Sequence, residues 1–251
     1  MSAAEESVIL CEGFHDRAFW KGCLKHLGCQ DLPGRPPFYD PFSKKVPPGH
    51  FVFLSTSGAF IRLQSCGGDK AVLGRLEDRL VERTTNTLRR LVVNLDTDAR
   101  DAAGLALRTA GLRASVESRV AKADPSWATT ADAELALDGG ATLVSTVFWA
   151  AADPVSPELP AKQTLERLVC AAISAAYPGR GATIGAWLAS RVSAPVESPK
   201  EHAWSHMAGW YADAGCDEFY QAVWRDGRVV TELEARLRAN GSWDAMMAIA
   251  R

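Results

Sequence analysis

The sequence contains no apolar run approaching the roughly 18 residues that cross a bilayer, so a helical membrane span is excluded. The opening residues, MSAAEES, lack the basic stretch and apolar core of a secretory signal, and the expected location is the cytoplasm. Excess positive charge is absent too: 28 Lys and Arg stand against 30 Asp and Glu, a formal net charge of −2. That argues against a protein that coats nucleic acid through bulk charge, but leaves room for a nucleic-acid enzyme with a local basic groove. None of the six cysteines forms a CxxC pair, so no disulfide framework is expected and the thiols read as reduced. Internal repeats and low-complexity tracts are missing as well. Gly67-Gly68-Asp69-Lys70 lacks the GxxxxGK[ST] spacing of a Walker loop.

What is present suits a globular fold. A hydrophobic fraction of 47% over 251 residues can bury a substantial core. Val8 to Leu10 form a short apolar run that ends at Glu12-Gly13, as a buried parallel strand does. A helix follows, with Phe19, Cys23, Leu24 and Leu27 at helical spacing and Gly28 at its end. Residues 30–50, rich in Pro and Gly, read as a loop insertion. Further strands are expected at 50–55, 88–95 and 141–150, with helices through 71–83 and 101–122. This alternation predicts an α/β core over residues 1–160, a mostly parallel sheet flanked by helices. From 161 to 251 the segments 162–177, 182–192, 200–213, 216–224 and 229–239 read as a C-terminal helical extension packed on that core.

Two expected strands end in carboxylates: Glu12 after the first, and Asp96 with Asp98 after the one at 88–95. Sites in open parallel sheets form at such carboxyl ends. Residues i and i+2 of an extended segment point the same way, so both aspartates can face one site. All-oxygen donors suit Mg²⁺, and a nearby glutamate outside the metal shell can move a proton. Each piece also has a plainer explanation. Asp96 and Asp98 fit a solvated turn, and His15 or Asp16 fits a helix cap.

C-E-G-F-H-D at 11–16 and V-V-N-L-D-T-D at 92–98 resemble the two motifs of the Toprim domain, the catalytic module of topoisomerases, bacterial primases and OLD-family nucleases. Gly67-Gly68-Asp69-Lys70 resembles the glycine turn before the middle helix of standalone and OLD-like versions. Thr164-Leu165-Glu166 resembles a later acidic position. The resemblance implies a Toprim-like fold and a Mg²⁺- or Mn²⁺-dependent nuclease acting on DNA or RNA. It implies Glu12 as general acid/base and Asp96 and Asp98 as metal ligands, with Asp16 and Glu166 in support. Gly67, Gly68, Lys70 and Arg100 are the expected phosphate or nucleic-acid contacts. A partner ATPase subunit and a homodimer are implied partners, and no membrane. A zinc module and a tyrosine-bearing cleavage domain are not recognisable, which disfavours primase and topoisomerase.

Other readings stand beside this one. The same carboxylates suit a catalytically silent Toprim-fold module that binds metal or nucleotide, or a nucleotidyl-transfer enzyme, or acidic turns of an interaction subunit. His202 and His206 are spaced i, i+4 as zinc ligands are, yet no third ligand is evident and packing around Trp204 explains them. Arg75, Arg79 and Arg83 share a helical face with acidic neighbours, as a solvated face or as a nucleic-acid strip.

Overall fold

The segment ESVILC becomes strand β1 (Glu6–Cys11), and all six of its residues are buried. Its apolar character has a topological cause. β1 pairs in parallel with β4 (Phe60–Ser65) on one side and with β5 (Leu88–Asp96) on the other, so both its faces are covered. Glu6 is the exception in that run. Burial pushes its carboxyl pKa up, while Arg62 and Arg79 pull it down, and Arg62 Nε donates to it across 2.5 Å. A buried charge is tolerated only when paired in this way.

The structure, a computed structural model, describes residues 5–32, 50–83, 87–190, 199–210 and 215–251. The remaining strands are β2 (Gln30–Asp31), β3 (His50–Leu54), β6 (Ala128–Thr129), β7 (Leu135–Leu137) and β8 (Thr142–Trp149). They complete one eight-stranded sheet in the order β2-β3-β4-β1-β5-β8-β7-β6. Parallel pairing occupies its centre, β4-β1-β5. Antiparallel pairs form both flanks, β2-β3-β4 and β6-β7-β8. The fold class is α/β, with a helical C-terminal region, as the alternation predicts. Of the expected loop insertion at 30–50, Gln30 and Asp31 belong to β2, and residues 33–49 lie outside the described residues.

Chain contacts divide the molecule into two compact units. The first comprises Met1–Leu95, Gly111–Val147 and Asp244–Arg251; the second comprises Asp96–Ala110 and Phe148–Trp243. In the first, α1 (Phe14–His26) buries Phe19, Trp20, Cys23 and Leu24, the 3–4 spacing of one helical face. Trp20 Nε1 donates to Asn94 Oδ1 at 3.0 Å, and Asn94 Nδ2 donates to the Val147 carbonyl at 3.3 Å. This chain of bonds fixes α1 over β5 and β8. Helix α2 (Asp69–Glu82) buries Val72, Leu73, Leu76 and Leu80. Helix α3 (Ala102–Ala123) buries Leu112, Val116 and Val120.

The second unit is built around α4 (Leu165–Ala176), whose residues 165–173 are all buried. It touches α5 (Pro178–Ala189), α6 (Pro199–Trp210) and α8 (Gly227–Ala239), and α7 (Cys216–Val223) completes the set. Arg167 of α4 is 1% exposed and donates to the carbonyls of Ala151, Asp153 and Pro160. Asp153 and Arg236 form a two-pronged ion pair at 2.5 and 3.0 Å. Burial alone would raise the Asp153 pKa, but the Arg236 hydrogen bonds and charge hold it below the usual carboxylate value. The last helix, α9 (Trp243–Ala250), lies outside the sequence expectation. Among the described residues no helix is long and apolar enough to cross a membrane.

Candidate functional site

At the end of β1 the chain turns sharply into α1. Gly13 is the N-cap, and its N–H donates to Asp16 Oδ2 at 3.0 Å, so the first turn of α1 is closed by a carboxylate three residues in. Asp16 is 6% exposed. Its sequence role as a helix cap is therefore realised, on the same side chain that the Toprim resemblance assigns to metal support.

Glu12 is half-buried and its backbone is held from the next loop. The amides of Gly67 and Gly68 both donate to the Glu12 carbonyl, at 2.7 and 3.0 Å, and the Cys66 amide donates to the Cys11 carbonyl at 2.9 Å. Gly67 and Gly68 have φ of +94° and +110°, a region closed to most L side chains, which explains a Gly-Gly pair here. These two N–H groups are spent on positioning Glu12, and the second residue of α2 is the exposed Lys70. The Lys70 amide donates to Asp69 Oδ1 at 2.6 Å. The first unit thus brings together Glu12, Asp16, Gly67 and Gly68.

Asp96 ends β5, and its Oδ1 accepts from the Leu165 amide at 3.0 Å, the first residue of α4. Thr164 is the N-cap residue by position, yet its hydroxyl makes no cap and is buried without a partner. Asp96 takes over that task, where the helix dipole favours a carboxylate. Asp98 has φ +57°, a left-handed backbone that Asp tolerates better than most residues. Its amide donates to the Gln163 carbonyl at 3.0 Å, and its carboxylate pairs with Lys162 Nζ at 2.7 Å. Gln163 in turn binds both the amide and the carbonyl of Ala151, at 2.9 and 3.1 Å. Glu166, 5% exposed, lies in the first turn of α4. The second unit thus gathers Asp96, Asp98 and the 162–166 segment at one junction. Arg100, two residues beyond Asp98, is exposed.

Lys162 and Gln163 were not singled out by the sequence reading. Their link to Asp98 spans more than 60 residues of chain, and no local spacing announces such a pairing.

Cys11 and Cys66, the thiols beside Glu12 and the Gly67-Gly68 turn, are unsuited to nucleophilic work. Burial pushes Cys11 well above its ordinary pKa and lifts Cys66 to about 11, so both are thiols at neutral pH. Cys66, Gln64 and Ser65 border an open cleft of about 330 Å³ against Gly74, Arg75 and Asp78 of α2. Arg75 pairs with Asp78 at 3.0 Å, and Arg79 with Glu82 at 2.9 Å, so this arginine face is matched by its own acids. His206 is fully buried with neither ring nitrogen bonded. Burial first, then the Arg180 and His202 charges, lowers its pKa to about 3.

The donor chemistry of Glu12, Asp16, Asp96, Asp98 and Glu166 is all oxygen, as a hard divalent cation requires. Among the described residues, however, no group of three His, Cys, Asp or Glu side chains is arranged to hold a metal ion. The cation that Asp98 meets here is the Lys162 ammonium.

Comparison with known proteins adds the fold alone. The sequence matches no family model and no curated protein. Its structure is similar to the crystal structure of a hypothetical protein from Pyrococcus horikoshii OT3, with a TM-score of 0.71 and 14% identity, covering 99% of this chain and 100% of the other.

Proposed function

We propose that the protein is a metal-dependent nuclease of the Toprim type, cleaving phosphodiester bonds of DNA or RNA. The observation that carries the reading is the placement of its two acidic motifs. β1 and β5 pair in parallel; Glu12 directly follows the last residue of β1, Asp96 is the last residue of β5, and Asp98 lies two residues beyond it. Carboxyl ends of neighbouring parallel strands are where such folds place chemistry. In this reading Asp96 and Asp98, with Asp16 or Glu166, are the ligands of Mg²⁺ or Mn²⁺. The ion would supply Lewis-acid stabilisation of phosphate charge.

The protein's own part is to hold and move a proton. Glu12 takes one from the attacking water or gives one to the leaving oxygen. The Gly67 and Gly68 amides fix the backbone from which it acts. Lys70 and Arg100 are exposed cations suited to flanking phosphates. Nucleic-acid processing, repair or defence against foreign DNA, beside a partner ATPase, are settings that fit the reading. So does a homodimer.

The deciding experiment is cleavage of plasmid and single-stranded substrates with Mg²⁺ or Mn²⁺. Glu12→Gln and Asp96→Asn should each reduce the rate by at least about a hundredfold. Unchanged rates in both variants would sink the mechanism.

A second reading has one specific observation in its favour. Lys162 already neutralises Asp98, and Asp96 is engaged as a helix cap. Those are the arrangements of a Toprim-fold module without turnover, which binds metal or nucleotide, or a partner. Calorimetry with Mg²⁺ and Mn²⁺ beside the cleavage assay separates the two: binding without cleavage selects the silent module.

A further inference from the structure

Phe14 stands apart from the other apolar residues of α1. Phe19, Trp20, Cys23 and Leu24 are fully buried, whereas Phe14 keeps 48% of its surface exposed. It is the first residue of the helix, two positions after Glu12. The Arg17 guanidinium carbon lies 4.6 Å from its ring centroid, close enough for cation–π attraction to hold the ring. The neighbours of Phe14 in sequence, Glu12, Gly13 and His15, add no apolar side chain to it. Protein interfaces use broader apolar patches than that. Leaving a phenyl ring in water forgoes burial that the helix could have used.

We propose that Phe14 is a stacking platform for an unpaired nucleobase, and that the substrate is therefore single-stranded or locally unpaired nucleic acid. This inference rests on the nuclease reading above. An exposed ring backed by an arginine is the usual platform for single strands, because every base offers a π face whatever its sequence. In a duplex the bases are already stacked on one another, and bringing one onto Phe14 costs unpairing. The platform sorts substrates by strand state, not by sequence, and serves DNA and RNA alike. Phe14 is a positioning residue: it seats the base and so places the adjoining phosphate near Glu12.

The test has two parts. Binding is measured in the full-length Glu12→Gln background with Mg²⁺ present, using a single-stranded oligonucleotide that carries 2-aminopurine, whose fluorescence is quenched on stacking. Cleavage of matched single-stranded and duplex substrates is measured with otherwise unaltered protein. Binding should quench the probe, and Phe14→Ala should weaken binding by about tenfold or more, abolish the quench and raise KM. Phe14→Trp should restore all three. Unchanged affinity and fluorescence in Phe14→Ala, with cleavage intact, overturn the platform and leave the nuclease reading standing. Cleavage confined to duplex overturns the platform alone. If no nucleic acid is bound or cut at all, the nuclease reading falls and the platform falls with it.

Discussion

Two glycines six residues apart, Gly68 and Gly74, should respond to the same substitution with opposite signs. An added Cβ at either position meets nothing within 4 Å, so no clash complicates the comparison and the backbone alone decides. Gly68 sits at φ 110°, ψ 167°, in territory that is essentially glycine's own, and alanine there costs about 1–3 kcal/mol. Gly74 lies within α2, where alanine gains about 0.5–1 kcal/mol over glycine. The two variants should therefore differ by about 2.5 kcal/mol, or roughly 5–10 °C in Tm for a chain of this size. Scanning calorimetry of Gly68→Ala, Gly74→Ala and the unaltered protein reads this directly. A Gly68→Ala protein that melts at or above Gly74→Ala would refute the backbone argument. The same pair also separates stability from chemistry. The Gly68 amide holds the Glu12 carbonyl, so Gly68→Ala should lower cleavage at temperatures where both variants remain folded, and Gly74→Ala should not.

Two further predictions concern charge. His206 is neutral in the folded state, with a pKa lowered from 6.5 to about 3. An unfolded histidine binds a proton below about 6.5, so stability is full above that pH and falls as the pH drops towards 3. The loss at pH 5 is about 2 kcal/mol. Urea denaturation at pH 7.5 and 5.0 should show a loss smaller by that amount in His206→Leu, and equal losses in both proteins would disprove the assignment. Lys162→Met removes the ammonium 2.7 Å from Asp98. Both side chains are more than a third exposed, so stability should change by less than about 1 kcal/mol. Mg²⁺ affinity should nevertheless rise severalfold by calorimetry, and an unaltered affinity would mean that Asp98 is not a ligand.

The parts of the fold legible in the sequence were those where one physical rule acts alone. β1 and β5 are covered on both faces, so they read as apolar runs. The amphipathic stripe of α2 likewise announces its buried side. β4 escaped because Arg62 and Gln64, both buried, lend it a loop's polarity. Their burial is compensated by Glu6 and Arg79, residues of other elements that a local pattern cannot reveal. β6 and β7 are two and three residues long, too short for any periodicity to register. α5 begins earlier than the sequence suggested, because Pro178 opens the helix at its first position instead of interrupting it. For the candidate site, sequence placed Glu12, Asp96 and Asp98 at strand ends, and there they are. It could not tell that the Gly67 and Gly68 amides serve Glu12, or that Asp96 caps α4. Such bonds join residues 55 to 69 positions apart.

The final helix carries a consequence for how the chain is made. The carbonyl of Ala250 accepts from both the amide and the hydroxyl of Thr56, at 3.1 Å each, and Cys29 Sγ approaches the same oxygen. The loop closed by that contact spans 194 residues. Contacts of this separation form late, since the whole intervening chain must first be confined. On the ribosome the hairpin around Thr56 emerges long before its partner, and for most of synthesis it has to wait with that edge uncovered. The first unit thus needs residues from both sides of the second, Asp244–Arg251 as well as Met1–Leu95. The second unit, encoded almost wholly between them, can be complete while the first is still missing its closing piece.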